Sequence, residues 1–146
     1  MKLLLDTNVL VRICHPTGHR DVKDWFRSLL LRGADAPEIL VSVLADYELR
    51  RTLIQRGASA GLAQLDDVAR SVTYVPVTPE VVRRGAELSA QLRREGDNRM
   101  SDADVLMAAQ AEVMGAILVT SDAALHSIPG ITAKDWNEVE TSTIAS

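Results

Sequence analysis

An α/β sandwich around a mainly parallel sheet is the fold class that the sequence predicts, and two observations predict it. Short apolar runs at residues 2–5, 39–42, 73–77 and 116–120 alternate with longer stretches of helical spacing. The connections between them are short, and the chain shows neither an internal repeat nor a low-complexity linker. Strands that alternate with helices are joined by crossovers, which pair them in parallel and cover the sheet with helices.

In chain order, residues 2–5 read as a buried strand that stops at Asp6, and a helix over about 8–14 follows the Asp-Thr-Asn turn. His15-Pro16-Thr17-Gly18 breaks the chain. Val22, Trp25, Phe26, Leu29 and Leu30 have helical spacing over 21–31, with Gly33 beyond the end. Residues 39–42 form a second strand, leading into a helix through Asp46, Tyr47, Glu48 and Leu49 to Arg56 that Gly57 closes. Another helix covers 60–70, and 73–77 is a third strand. Thr78 is a good N-cap and Pro79 is pre-set for the first helical position of a helix that buries Val81, Leu88 and Leu92. After a polar loop at 95–99, Ser101 begins the helix SDADVLMAAQAEVM. Residues 116–120 are a fourth strand, Ser121-Asp122 starts a short helix, and Pro129-Gly130 introduces a last strand near 131–133. The whole chain, 1–146, reads as one domain with 136–146 a loose C-terminal tail.

Composition narrows the function. At 47% hydrophobic and 25% charged residues the chain has the make-up of an ordinary globular protein. No apolar run approaches the roughly 18 residues of a spanning helix. Met-Lys with only three leucines before Asp6 lacks the long apolar stretch of a secretory signal, so a cytoplasmic location and no membrane partner are expected. The lone Cys14 has no disulfide or zinc companion and reads as a small buried hydrophobe. A net charge of −4 argues against binding nucleic acid by bulk positive charge. Local arginine clusters at Arg50, Arg51 and Arg56, at Arg83 and Arg84, and at Arg93, Arg94 and Arg99 still allow a basic stripe beside an acidic pocket, or else form solvated helix faces.

The carboxylates are placed unevenly. Asp6 and Asp122 each follow the carboxyl end of an apolar strand, the edge at which open α/β sheets bind ligands. Glu48 and the pair Asp102/Asp104 lie early in helices that flank the same edge. Each has a local explanation: Asp6 as a helix cap, Glu48 as an exposed helix charge, Ser101 with Asp104 as a capping box, Asp122 as a first-turn charge. Independent caps have no reason to gather at one edge, however, and carboxylates gathered without lysine raise one another's pKa values. A hard cation such as Mg²⁺ removes that conflict, leaves room for a phosphate, and supplies a hydroxide nucleophile near neutral pH. His15, His19 and His126 have no spacing that suggests a zinc site or a Ser-His-Asp array. Capping of the first helix is then better assigned to Thr7 or Asn8.

LLLDTNVL, a helix carrying YELRR, then DADVLMAAQA, then ILVTSD, in that order from Leu3 to about Trp136, resemble the PIN domain family and its small bacterial VapC-like toxins. The resemblance implies a three-layer α/β/α sandwich, a Mg²⁺- or Mn²⁺-dependent ribonuclease acting on RNA, a homodimer, and a cognate antitoxin protein. It places the catalytic and metal-holding acids at Asp6, Glu48, Asp104 and Asp122, with Thr7, Asn8 and Ser121 as polar supports. Arg50, Arg51 and Arg99 would contact the RNA backbone. Asp102 and Asp104, two apart, do not share a helix face. The motif favours Asp104, and Asp102 stands in reserve.

Two rival enzymes fit less well. An aspartyl-phosphate phosphatase of the haloacid dehalogenase type wants a second aspartate where this chain has Asn8, and wants its acidic pair after the Ser/Thr element rather than before Thr120-Ser121. A receiver domain wants an acidic pair at the first strand and a late lysine. From another class, a PIN-like module that holds RNA or a partner protein without turnover remains the alternative.

Overall fold

Leu3, Leu4 and Leu5 are wholly buried, since strand β1 (Lys2–Leu5) lies in the middle of the sheet with helices on both faces. The computed structural model describes residues 1–139. After β1 come α1 (Thr7–Cys14), α2 (Arg20–Leu30), β2 (Glu38–Ser42), α3 (Val43–Gln55), α4 (Ser59–Ala69), β3 (Thr73–Val75), α5 (Pro79–Arg94), α6 (Asp102–Met114), β4 (Ile117–Val119), α7 (Ala123–His126) and β5 (Ala133–Lys134). The strand order is β3-β2-β1-β4-β5 and every pairing is parallel.

Strand alternation divides the core. Leu3, Leu5, Ile39, Val41 and Val119 point to one face, where α1 to α4 supply Leu10, Phe26, Ala45 and Leu65. Leu4, Leu40, Val75 and Leu118 point to the other, against α5 and α6 through Leu88, Val105 and Ala108. This is the expected three-layer α/β/α sandwich. Gly85 permits the close approach of α5 to α6, since a Cβ there would stand 2.9 Å from Leu106 Cδ2.

Where boundaries differ from expectation, a backbone group explains it. The third strand ends at Val75 because Pro76 has no N–H to continue the ladder. Helix α3 begins at once after β2, because Ser42 serves as N-cap with its hydroxyl accepting from Leu44 N–H at 3.1 Å. The last strand lies at Ala133–Lys134 rather than 131–133, as Ile131 N–H is engaged with the Ile128 carbonyl. Thr78 caps α5 through Val81 N–H, with Pro79 at the first position as expected. The first residues of the expected loose tail, 136–139, are packed instead. Trp136–Glu138 forms a 3-10 turn capped by Asp135, Trp136 packs 6.1 Å from Trp25, and Val139 is buried. Residues 140–146 lie outside the described residues. Cys14 is buried and free, and burial pushes its thiol up to about 12. Among the described residues no helix is long and apolar enough to cross a membrane.

Leu4→Ala opens a cavity between β1 and α6 and is expected to lower unfolding stability by about 2–5 kcal/mol. Thr78→Ala, which removes only a cap, should cost about 1 kcal/mol. Urea unfolding followed by circular dichroism checks both, and equal losses would contradict this division of the core.

Candidate active site

Successive strands run β1, β2, β3 to one side, after which the chain returns to place β4 on the other side of β1. The crevice at this reversal lies between the carboxyl ends of β1 and β4, the position where open parallel sheets bind ligands. Asp6 stands there. Its backbone N–H donates to the Val119 carbonyl at 2.9 Å, extending the β1–β4 ladder by one residue. Its side chain is only 3% exposed. Oδ1 accepts from Thr7 N–H at 2.8 Å, and Oδ2 accepts from Thr120 Oγ1 at 2.7 Å and Asn8 Nδ2 at 3.1 Å. Asp6 itself is therefore the N-cap of α1, which corrects the assignment of that role to Thr7 or Asn8. Those two have other duties: Thr7 Oγ1 donates to Glu48 Oε1 at 2.9 Å, and Asn8 bridges to Thr120 Oγ1 at 3.3 Å.

Thr120, fully buried, is the residue that the sequence motifs passed over. Its hydroxyl donates to Asp6 and accepts from Asp122 N–H at 3.0 Å, so it joins the ends of both strands. His126 Nε2 donates to its carbonyl at 2.8 Å. The signal was its position immediately past an apolar strand, the same as that of Asp6. Ser121 N–H donates to Asn8 Oδ1 at 3.3 Å, and its hydroxyl receives Arg12 at 3.0 Å and donates to Asp135 at 3.2 Å. Arg12 and Asp135 thus brace the same turn, and neither carries a motif.

The remaining acids arrive on helix N-termini. Asp122 caps α7 through Ala124 N–H at 2.9 Å. Asp104 completes a capping box with Ser101, its Oδ2 accepting from Ser101 N–H at 3.1 Å. Asp102 turns away, its side chain 87% exposed and 3.9 Å from Arg93. Of the arginines, Arg50 is committed within the fold, bidentate to Asp46 and 3.1 Å from Asp66, and Asp46 also accepts from the Tyr74 hydroxyl. Arg51 lines a groove with Thr7 and Glu48. Arg99 is held by Asp97, which raises its pKa, with the Asp122 charge a smaller contributor.

Burial, with smaller contributions from the charges of Asp104 and Asp122, pushes the Asp6 carboxyl from the ordinary 3.8 up to about 6 against the lowering hydrogen bonds from Thr120 and Thr7. Asp6, Asp104 and Asp122 are thus electrostatically coupled, and Glu48 joins them through Thr7. They form a neighbourhood and not a closed cage: among the described residues no group of three His, Cys, Asp or Glu side chains is poised to hold a metal ion. Mg²⁺ does not require one, since it is held through one or two carboxylates and keeps several waters. The donor set is all oxygen, its buried member is a carboxyl that burial holds above the ordinary carboxylate range, and a divalent cation fits both facts.

The sequence matches the PIN domain over residues 3–131. The chain belongs to the PIN domain family. No curated protein sequence matches it. Solved structures share its PIN fold. VapBC2 from Rickettsia felis, bound to a DNA fragment from its promoter, superposes with a TM-score of 0.80 at 20% identity, covering 93% of this chain and 99% of that one. VapBC-1 from nontypeable Haemophilus influenzae gives 0.75 at 15% identity over 94% and 99%. VapC20 from Mycobacterium tuberculosis, described as a sarcin-ricin loop cleaving toxin, gives 0.65 at 17% identity over 87% and 95%.

Asp6 has a measurable pH signature. Its folded pKa lies above the unfolded value, so the protonated form is the one that folding favours. That contribution is fully present below about pH 4 and is lost as pH rises through about 6, a change of about 3 kcal/mol. In EDTA, wild-type stability relative to Asp6→Asn is expected to fall across this window in urea unfolding. Parallel pH profiles for the two proteins would contradict the burial of an uncompensated acid.

Proposed function

We propose that this PIN domain is a Mg²⁺- or Mn²⁺-dependent endoribonuclease that hydrolyses RNA phosphodiester bonds, and that it is the toxin of a toxin-antitoxin pair. The observation that carries the reading is Asp6, a buried carboxylate at the sheet's reversal point whose charge is opposed by Asp104 and Asp122. Such a group is costly to keep unless a cation is its intended partner. The structural neighbours support the second part, because they include toxin-antitoxin complexes and a sarcin-ricin loop cleaving toxin.

In this reading Asp6, Asp104 and Asp122 hold the ion, each with a carboxylate orientation fixed by a hydrogen bond from backbone N–H. A divalent ion held there would supply charge stabilisation at the phosphoryl oxygens and would lower the pKa of a water. Glu48, oriented by Thr7, accepts the proton that the attacking water releases. Asn8, Thr120 and Ser121 keep the two strand ends in register around the carboxylates. Arg51, which lines a groove with Glu48, and Arg99, close enough to Asp122 to feel its charge, contact the RNA backbone independently of sequence. Arg50, already paired with two carboxylates, contributes little to that contact. The protein acts in the cytoplasm as a homodimer that a cognate antitoxin neutralises.

Cleavage of labelled RNA in Mg²⁺ should disappear in EDTA. Asp6→Asn, Asp104→Asn and Asp122→Asn should each lower the rate about 100-fold or more, the loss expected when several kcal/mol of charge stabilisation go. Asp102→Asn should cleave like wild type. RNA binding without any cleavage would leave the non-catalytic binding module as the better description, and a loss in Asp102→Asn equal to that in Asp104→Asn would overturn the ligand assignment.

A further inference from the structure

Helix α3 carries an aromatic ring that the core does not use. Tyr47 is 61% exposed, flanked along the same side of the helix by Val43 and Ile54 at 40% and 62%. Contiguous apolar surface of this kind marks an interaction site. Its surroundings identify the partner. Tyr47 immediately precedes Glu48, whose carboxylate faces Thr7 in the acidic crevice. One turn later the Arg51 guanidinium lies over the Tyr47 ring, 5.3 Å from its centroid. Arg51 also walls a groove of about 470 Å³ that starts at Thr7 and Glu48 and runs out past Arg56. Neither Arg51 nor Arg56 forms an ion pair among the described residues, whereas Arg50 beside them forms two.

Going outward from Glu48, the surface therefore offers a cation and then an aromatic face. That order matches one nucleotide step, a phosphate followed by a base. We propose that Arg51 and Tyr47 form a subsite for the nucleotide beside the scissile bond, with the phosphate on Arg51 and an unpaired base stacked on the exposed face of Tyr47, opposite the one that Arg51 covers. This rests on the ribonuclease reading above and makes it more specific: the enzyme requires an unpaired nucleotide on the α3 side of the cleavage position. A base within a duplex has both faces covered by its neighbours, so it cannot lie on the ring. Stacking on an aromatic side chain tolerates any base, so the subsite selects for strand state and not for sequence.

The test uses the full chain, a short unstructured RNA, and the same RNA annealed to its complement. Binding is read by fluorescence anisotropy in EDTA, cleavage in Mg²⁺, and oligomeric state by gel filtration. Tyr47→Leu is expected to weaken binding and cleavage of the unstructured strand about 10-fold, within the range for loss of one stacked base, while Tyr47→Phe stays within about two-fold of wild type. Duplex RNA should be bound weakly by all three proteins and with the same affinity. Wild-type activity in Tyr47→Leu, or equal losses on both RNAs, would overturn the subsite while leaving the ribonuclease reading intact. A shift of Tyr47→Leu to a smaller assembly without the selective loss would assign the patch to contact between copies of this chain, and also overturn it. A wild-type protein that neither binds nor cuts RNA would defeat the ribonuclease reading and the subsite together.

Discussion

A carboxylate buried at the end of the central strand is the constraint on which the rest depends. Asp6 follows three leucines that are wholly enclosed, so the strand delivers it to a position with almost no access to water. A charge there must be compensated. The chain offers three donors, Thr7 N–H, Thr120 Oγ1 and Asn8 Nδ2, and these are insufficient: the pKa stays raised, to about 6. Each donor also ties Asp6 to another element, since Thr7 reaches Glu48 on α3 and Thr120 reaches the backbone of Asp122.

The capping and catalytic readings of these acids are not competitors. Helices α1, α6 and α7 all begin at the carboxyl edge of a parallel sheet, and negative charge at such ends is favoured by about 0.3–1 kcal/mol. Asp104 and Asp122 each use one carboxylate oxygen for a cap, through Ser101 N–H and Ala124 N–H. The cap fixes the direction of the side chain and leaves the second oxygen for other work. Convergence of helix starts thus places acids around one crevice in an alternating α/β chain, and the return of the chain across β1 selects which crevice.

Much of this was legible in the sequence because it follows from period and position. The apolar runs located all five strands to within a few residues, and Thr78-Pro79 marked the start of α5. What escaped depended on contacts between distant residues. Thr120 looked like the end of a strand, and only the Leu5–Val119 register puts its hydroxyl against Asp6, 114 positions away. Spacing says only that Asp102 and Asp104 do not share a helix face, and the capping box gives their directions by holding Asp104 back toward Ser101 while Asp102 projects into solvent. Arg50 sat in a basic cluster, yet Asp66 from the next helix, which no local pattern pairs with it, engages its charge. The docking of Trp136 on Trp25 joins segments too far apart for periodicity to connect.

The central claim is that the acids around Asp6 form a site for a divalent cation. Mn²⁺ binding followed by electron paramagnetic resonance, with wild type and Asp6→Asn in parallel across pH 5 to 8, tests it most directly. Wild type should bind with an affinity that falls as pH drops through about 6, where Asp6 takes up its proton, and Asp6→Asn should lose that binding and its pH dependence. Equal binding by the two proteins, unchanged across that range, would contradict it.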